Sequence, residues 1–160
     1  MLKYFLFGIV FLFFMNSCKM NLSLNAYVHH PYCGGAEPTP EMQEGWNKPM
    51  DTLIIRKALG DKKIVVALNE NGETKITLSK GKYMIYHKDK ALNNEQFIKK
   101  YTSKDKWYIF EGDSCLLNWK KTPDGIVELT KKDQAETIII RTHCFIGINP
   151  CVDYVGPPPP

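Results

Sequence analysis

Short β-branched or aromatic runs recur from residue 52 to residue 141, and most are bounded by glycine, asparagine or aspartate turns. Leu53-Ile54-Ile55 is followed by residues 63–68 (KIVVAL), set between Gly60-Asp61 and Asn69-Glu70-Asn71-Gly72. In Thr74-Lys75-Ile76-Thr77-Leu78 the apolar Ile76 and Leu78 alternate with Lys75 and Thr77, the period of a half-buried strand. Residues 82–87 (KYMIYH), 107–110 (WYIF), 115–119 (CLLNW), 126–129 (IVEL) and 137–141 (TIIIR) have the same character. Gly112-Asp113 and Pro123-Asp124-Gly125 punctuate the later runs. Many short strands with regular turns predict an all-β fold, an antiparallel β-sandwich. A single helical insertion is expected at 91–102, with Asn93 able to cap, Glu95 in the first turn, and Leu92, Ile98 and Tyr101 near one face.

The first 17 residues have a different logic. Lys3 precedes an unbroken apolar run from Tyr4 to Met15, and the small Ser17 stands before Cys18. A basic start, an apolar stretch of about 7–15 residues and a small residue at the cut describe a secretory leader. Met15-Asn16-Ser17-Cys18 resembles a bacterial lipobox, although that motif prefers leucine where Met15 stands and a small residue where Asn16 stands. The resemblance implies that Cys18 is acylated and becomes the mature N-terminus; ordinary secretory cleavage is the alternative. No second apolar run approaches the ~18–20 residues that cross a bilayer, so membrane attachment is expected through Cys18 alone. The expected location is the bacterial cell envelope, the outer membrane being favoured.

The organisation that follows is a leader at 1–17, a Pro/Gly-rich tether and lead-in at 18–50, a β-sandwich at 51–148 and a proline-rich tail at 149–160. The lead-in is assigned as loop because Pro31, Gly34, Gly35, Pro38, Pro40, Gly45 and Pro49 interrupt any regular pattern. After residues 144–146, Asn149-Pro150-Cys151 and Gly156-Pro157 leave no room for an ordinary strand, and the terminal prolines favour an extended tail. The chain has 21 basic and 17 acidic residues, and Lys3 is the one charge in the leader. A surplus this mild and evenly spread gives no reason to expect a nucleic-acid partner.

Residues 69–83 resemble the strand, D/N-x-x-G, strand, L-x-x-G-x-Y signature of carboxypeptidase-regulatory-like and prealbumin-like (Cna-B-type) β-sandwich modules. The resemblance implies that Gly72 makes a hairpin turn, Leu78 enters the core, Gly81 allows a tight corner and Tyr83 packs at the start of the next strand. Pro31-Tyr32-Cys33-Gly34-Gly35-Ala36 and the terminal Asn149-Pro150-Cys151 with Tyr154, Gly156 and Pro157 are similar to the ends of small bacterial exported lipoproteins with no assigned activity. Such modules serve mainly as stalks, spacers and docking domains, which implies a non-catalytic binding or structural role with an envelope protein or glycan as partner.

Four cysteines remain in the mature body: Cys33, Cys115, Cys144 and Cys151. An even number in an exported chain points to disulfides, and four cysteines permit three pairings. A short Cys144–Cys151 loop with Cys33–Cys115 is the pairing favoured here. The alternative function is a copper or zinc site built from His29, His30, Cys33, His143, Cys144 and Cys151, whose imidazole and thiolate groups suit either ion. Their spacing lacks a C-x2-C or H-x3-H pair, and the reading adopted has no cofactor. Catalysis is not expected either. The chain has no G-x-S-x-G, phosphate-loop or H-E-x-x-H motif; Glu111 and Asp113 beside Gly112 fit a turn, and His87 at a strand end fits a surface residue. Trp107, Tyr108 and Phe110 are expected to pack in the core, which leaves Trp46 as the candidate exposed contact for a glycan or peptide.

Overall fold

The computed structural model describes residues 19–35, 37–102 and 106–157. Cys18, the leader and the last three prolines lie outside the described residues. Residues 19–30, expected to be loop, instead form the longest strand, β1 (Lys19–His30). Met20, Leu22, Leu24 and Ala26 are buried while Asn21, Ser23 and Asn25 between them are not, the period of two that a sheet imposes. This pattern lies just ahead of Pro31, and the proline and glycine content of the following residues masks it.

Strand β1 is paired along both edges. On one edge β9 (Asp133–Arg141) runs parallel to it from Asn21↔Asp133 to His29↔Arg141. β5 (Glu73–Ser79) and β2 (Trp46–Pro49) share the other edge end to end, both antiparallel to β1. Ala26 sits at their junction: its N–H donates to the Gly72 carbonyl at 2.8 Å, and its own carbonyl accepts from Met50 N–H at 3.0 Å. Gly72 has φ +77°, and a Cβ there would stand 2.5 Å from the Ala26 carbonyl oxygen. The glycine is therefore required, but not for a hairpin. The strand before it, β4 (Lys63–Ala67), pairs in a different sheet, and the chain through Gly72 passes from one sheet to the other.

That second sheet is antiparallel, in the order β4, β3 (Thr52–Lys57), β6 (Gly81–His87), β8 (Gly125–Leu129). Leu53, Ile55, Val66, Tyr83, Ile85, Val127 and Leu129 join Leu22, Leu24, Ala26, Leu78, Ile138 and Ile140 of the first sheet in one hydrophobic cluster. Each fully buried aliphatic side chain contributes ~1.5–3 kcal/mol relative to exposure. The chain is thus predominantly β, with one mixed sheet and one antiparallel sheet around a shared core.

A smaller cluster lies beside it. The expected helix is present as α2 (Asn94–Thr102), following the short α1 (Pro40–Gln43). Asn93 caps α2 reciprocally with Gln96: Gln96 N–H donates to Asn93 Oδ1 at 2.8 Å, and Asn93 N–H donates to Gln96 Oε1 at 3.1 Å. Residues 115–119, expected as a strand, are helical within α3 (Asp113–Lys121). Asp113 lies in its first turn and Lys120 and Lys121 in its last, which suits the helix dipole. Leu116 and Trp119 are one turn apart and both buried, so a helical period was present in a run too short to distinguish it from a strand.

Helices α2 and α3 pack on a two-stranded ribbon, β7 (Tyr108–Phe110) with β10 (Val152–Tyr154). Strand β10 occupies a stretch expected to hold none, and residues 144–146, expected as a strand, form a turn bridged by His143 and Gly147. The tail lies on the ribbon as far as it is described: Val155 N–H donates to the Trp107 carbonyl at 2.9 Å, and the Tyr154 hydroxyl donates to the Pro157 carbonyl at 2.8 Å.

The cysteines pair as Cys33–Cys144 and Cys115–Cys151, not as expected. The reason is register. Parallel pairing offsets β1 from β9 by a constant 112 residues, as in His29↔Arg141, so the segments leaving the two strands bring Cys33 beside Cys144. Cys115, in the first turns of α3, lies against Cys151 at the entry to β10.

Gly72→Ala is expected to cost ~1–3 kcal/mol in urea unfolding, through backbone strain and the contact with Ala26. Gly35→Ala, whose added methyl group meets nothing within 4 Å, is the matched control and is expected to change stability little.

Candidate functional site

The chemistry-bearing side chains concentrate where β1 and β6 end and β2 begins. Strand β1 delivers His29 and His30, and β2 delivers Trp46 beside them through the His30↔Trp46 register. The His30 and Trp46 rings stack at 4.1 Å between centroids with 14° between their planes. Trp46 is 57% exposed, so one ring face is committed to His30 while much of the side chain meets solvent. Pro31, Tyr32, Glu41 and the exposed Met42 line the shallow surface around it. The disulfide Cys33–Cys144 ties this lead-out to the end of β9, so the surface rests on a fixed backbone.

Beyond the His30 side of the stack lies a cleft of about 390 Å³, walled by Lys48, Met50, His87, Asp89, Tyr101 and Thr142 among others. His87 is buried, at 8% exposure, and so is not the surface residue expected. Its Nδ1 accepts the Asp89 N–H at 3.1 Å, which places a neutral ring's proton on Nε2. Burial lowers its basicity first of all; Asp89 and Asp124 oppose this, and Lys100 and Lys88 add to it.

Asp89 is also buried, and its carboxylate accepts from Lys100 Nζ at 2.6 Å and from the Tyr101 hydroxyl. Burial alone would raise its pKa, but those two hydrogen bonds, with His87 and Lys100 nearby, leave it below the ordinary carboxylate value. Burial and the same carboxylate push the Tyr101 phenol upward. Asp124 completes the arrangement by accepting His87 N–H at 2.7 Å and Lys90 Nζ at 2.7 Å. Two carboxylates therefore fix the turn 87–90 by charge-assisted hydrogen bonds, and neither is left as an unpaired base.

Of the expected metal ligands, His29 Nδ1 is 3.0 Å from Asn47 Oδ1, and His30 stacks on Trp46 with its Nδ1 3.5 Å from the Thr142 hydroxyl. Cys33, Cys144 and Cys151 are in disulfides and present no thiolate. Among the described residues no three His, Cys, Asp or Glu side chains converge as a metal would require. Trp107 borders the β7–β10 ribbon, not the main core, with Lys106 Nζ 4.7 Å from its ring centre, while Trp119 is buried on α3.

The His87–Asp89–Tyr101 group carries no signal in the sequence. Apart from the neighbouring His87 and Asp89, its partners are 11 to 37 residues apart in the chain, and a charged stretch after a strand looks solvated until they are in place. Comparison of the chain with protein-family profiles, curated proteins and solved structures finds no match. Among the described residues no helix is long and apolar enough to cross a membrane.

The lowered His87 pKa has a definite consequence. The unfolded chain binds a proton near the ordinary histidine value of 6.5, whereas the folded chain resists it to lower pH. The His87 contribution to stability is therefore complete above 6.5 and is lost as pH falls below it toward the folded value. His30, whose pKa burial, Lys48 and His29 also lower, acts in the same direction. Urea midpoints of the wild type are expected to decline between about pH 7 and pH 5, and His87→Gln is expected to flatten part of that decline. An unchanged slope in the variant would show that His87 is not held neutral.

Proposed function

We propose that this chain is a lipid-anchored cell-envelope protein with a non-catalytic binding or structural role, held at Cys18, with the Trp46–His30 surface as its contact for an envelope protein or glycan. The observation that carries the reading is the exposed Trp46, stacked on His30 and braced by Cys33–Cys144. A large aromatic ring held rigid at the surface offers contact area at little entropic cost, which is why such residues anchor interfaces.

The direction of β1 supports the anchor. The strand begins at the residue after Cys18 and ends at His30, a run of roughly 36 Å at ~3.3 Å per residue. An acylated Cys18 puts one end of the body against the bilayer and carries Trp46 to the far end. At the near end stand Lys19, Lys80 at the β5–β6 turn, and Lys131 and Lys132 just before β9, all exposed. Cations near an anionic headgroup layer contribute about 1 kcal/mol each. The two disulfides accord with an oxidising compartment. The two sheets around one core accord with a prealbumin- or immunoglobulin-like sandwich, in which the mixed sheet and the helical layer are departures from the simple module.

The test expresses the full chain in a lipoprotein-processing bacterial host. The mature protein is expected in the membrane fraction with a mass that starts at Cys18, carries acyl chains and lacks four thiol hydrogens. A photo-crosslinking residue at position 46 is expected to give a discrete adduct on cells. The same residue at Val65, more exposed still but on the second sheet, is not. A soluble, unacylated product would overturn the anchor, and equal labelling at the two positions would overturn the contact surface.

A further inference from the structure

The outer face of the second sheet carries a cleft of about 290 Å³ that the Trp46 surface does not use. It lies at the lower edge of the ~300–1,000 Å³ typical of small-molecule sites. Its walls come from five places: Ile54 and Arg56 on β3, Lys63 on β4, Tyr86 on β6, the turn at Lys90, and Lys120 and Lys121 facing it at the end of α3. Five of the lining side chains are cationic and none is a carboxylate.

Lys90 is neutralised by Asp124, 2.7 Å away. Lys120 has the Asp113 carboxylate nearby, which favours its charge, whereas Arg56, Lys63 and Lys121 are not matched by an acid among the described residues. Lys120 Nζ donates to the neutral Asn94 Oδ1 at 3.0 Å, and Lys63 and Lys121 have no hydrogen-bond or ion-pair partner among the described residues. Arg56 is the least ordinary of them. Its guanidinium lies 5.5 Å from the centre of the Tyr86 ring, Nη2 donates to the Tyr86 hydroxyl at 3.0 Å, and Nε is buried with no partner among the described residues. A partly buried guanidinium normally faces a carboxylate, because burying unpaired charge is costly.

The pairing of strands adds to that cost. Arg56 and Lys63 are register partners on β3 and β4, and like charges directly opposite each other destabilise a sheet. The dipole at the end of α3 accounts for Lys120 and Lys121. It does not account for Arg56 or Lys63, which sit on the facing sheet. A like-charged pair with an apolar and aromatic flank is what an anionic ligand would compensate.

We propose that this cleft binds the phosphate of a small phosphomonoester, free or as a lipid headgroup, between Arg56, Lys63 and Lys121, with the organic part against Tyr86 and Ile54. A phosphate dianion answers several cations at once, whereas a carboxylate would be satisfied by the Arg56 fork alone. The site is separate from the Trp46 surface and does not depend on acylation of Cys18.

The experiment titrates the folded, disulfide-intact protein with inorganic phosphate at constant ionic strength and follows the backbone amide resonances. Saturable shifts are expected around Arg56, Lys63 and Lys121, with chloride at the same ionic strength giving none. Arg56→Gln is expected to weaken binding at least tenfold. Because Arg56 is partly buried, the double variant Lys63→Gln with Lys121→Gln, both exposed, is made as well. It is expected to weaken phosphate several-fold while keeping or raising the thermal midpoint, since it removes repulsion. Vesicles of phosphatidate in phosphatidylcholine then identify the source. Sedimentation with them that free phosphate reverses assigns a headgroup, and saturable phosphate binding without sedimentation assigns a soluble phosphomonoester. No saturable shift with phosphate, or equal binding by the double variant, would overturn the site.

Discussion

Strand β1 is hydrogen-bonded along both edges, and the rest of the molecule is arranged around that constraint. From Asn21 to Asn25 it lies between β5 and β9, and from Tyr27 to His29 between β2 and β9. A backbone polar group removed from water must find a partner, so a strand in this position is held by its neighbours and in turn fixes their registers. Leu22, Leu24 and Ala26, fully buried, supply the apolar face against which the second sheet closes. Gly72 marks how tightly the arrangement is drawn, because only a residue without a side chain fits beside Ala26 where β5 and β2 meet.

The parallel register of β1 and β9 also determines where the functional surface can be. It brings the ends of both strands out together, seats Thr142 beside His29, and lets Cys33 reach Cys144 across 111 residues. Trp46 then stacks on a His30 whose backbone is already fixed. The neighbouring cleft gains its rigidity differently, from Asp89 and Asp124, which between them hold Lys100, Tyr101, Lys90 and the backbone of His87. A half-satisfied network of this kind would destabilise the fold; here both carboxylates are fully engaged. The opposite case is the basic cleft on the second sheet, where among the described residues Arg56 has no acid such as Asp89 and Asp124 provide elsewhere.

Much of the second sheet was legible in the sequence because its strands are written in β-branched and aromatic residues between glycine and asparagine turns. β3, β4, β6 and β8 fall close to where those runs stand, as do β5 and β9 of the first sheet. Strand β1 was not legible. Its polar positions are Asn and Ser, which also suit loops, and prolines and glycines follow it at once. The helix at 115–119 was hidden in five residues that satisfy either period. The disulfides were hidden for another reason: pairing depends on which strands lie side by side, a non-local fact that cysteine spacing does not contain. The same limit separates Trp46, whose exposure was readable from its loop-rich surroundings, from His87, whose burial depends on Asp89, Tyr101 and the distant Asp124.

If β1 is the strand on which the fold depends, its amides should be the last to open. Native-state hydrogen exchange of the disulfide-intact protein measures this residue by residue. The account predicts that amides between Asn21 and Asn25 exchange only through global unfolding, more slowly than those of the edge strand β4 or of β7. Exchange of β1 at the rate of those edges, with β3 and β6 still protected, would contradict it and return residues 19–30 to the role of a lead-in.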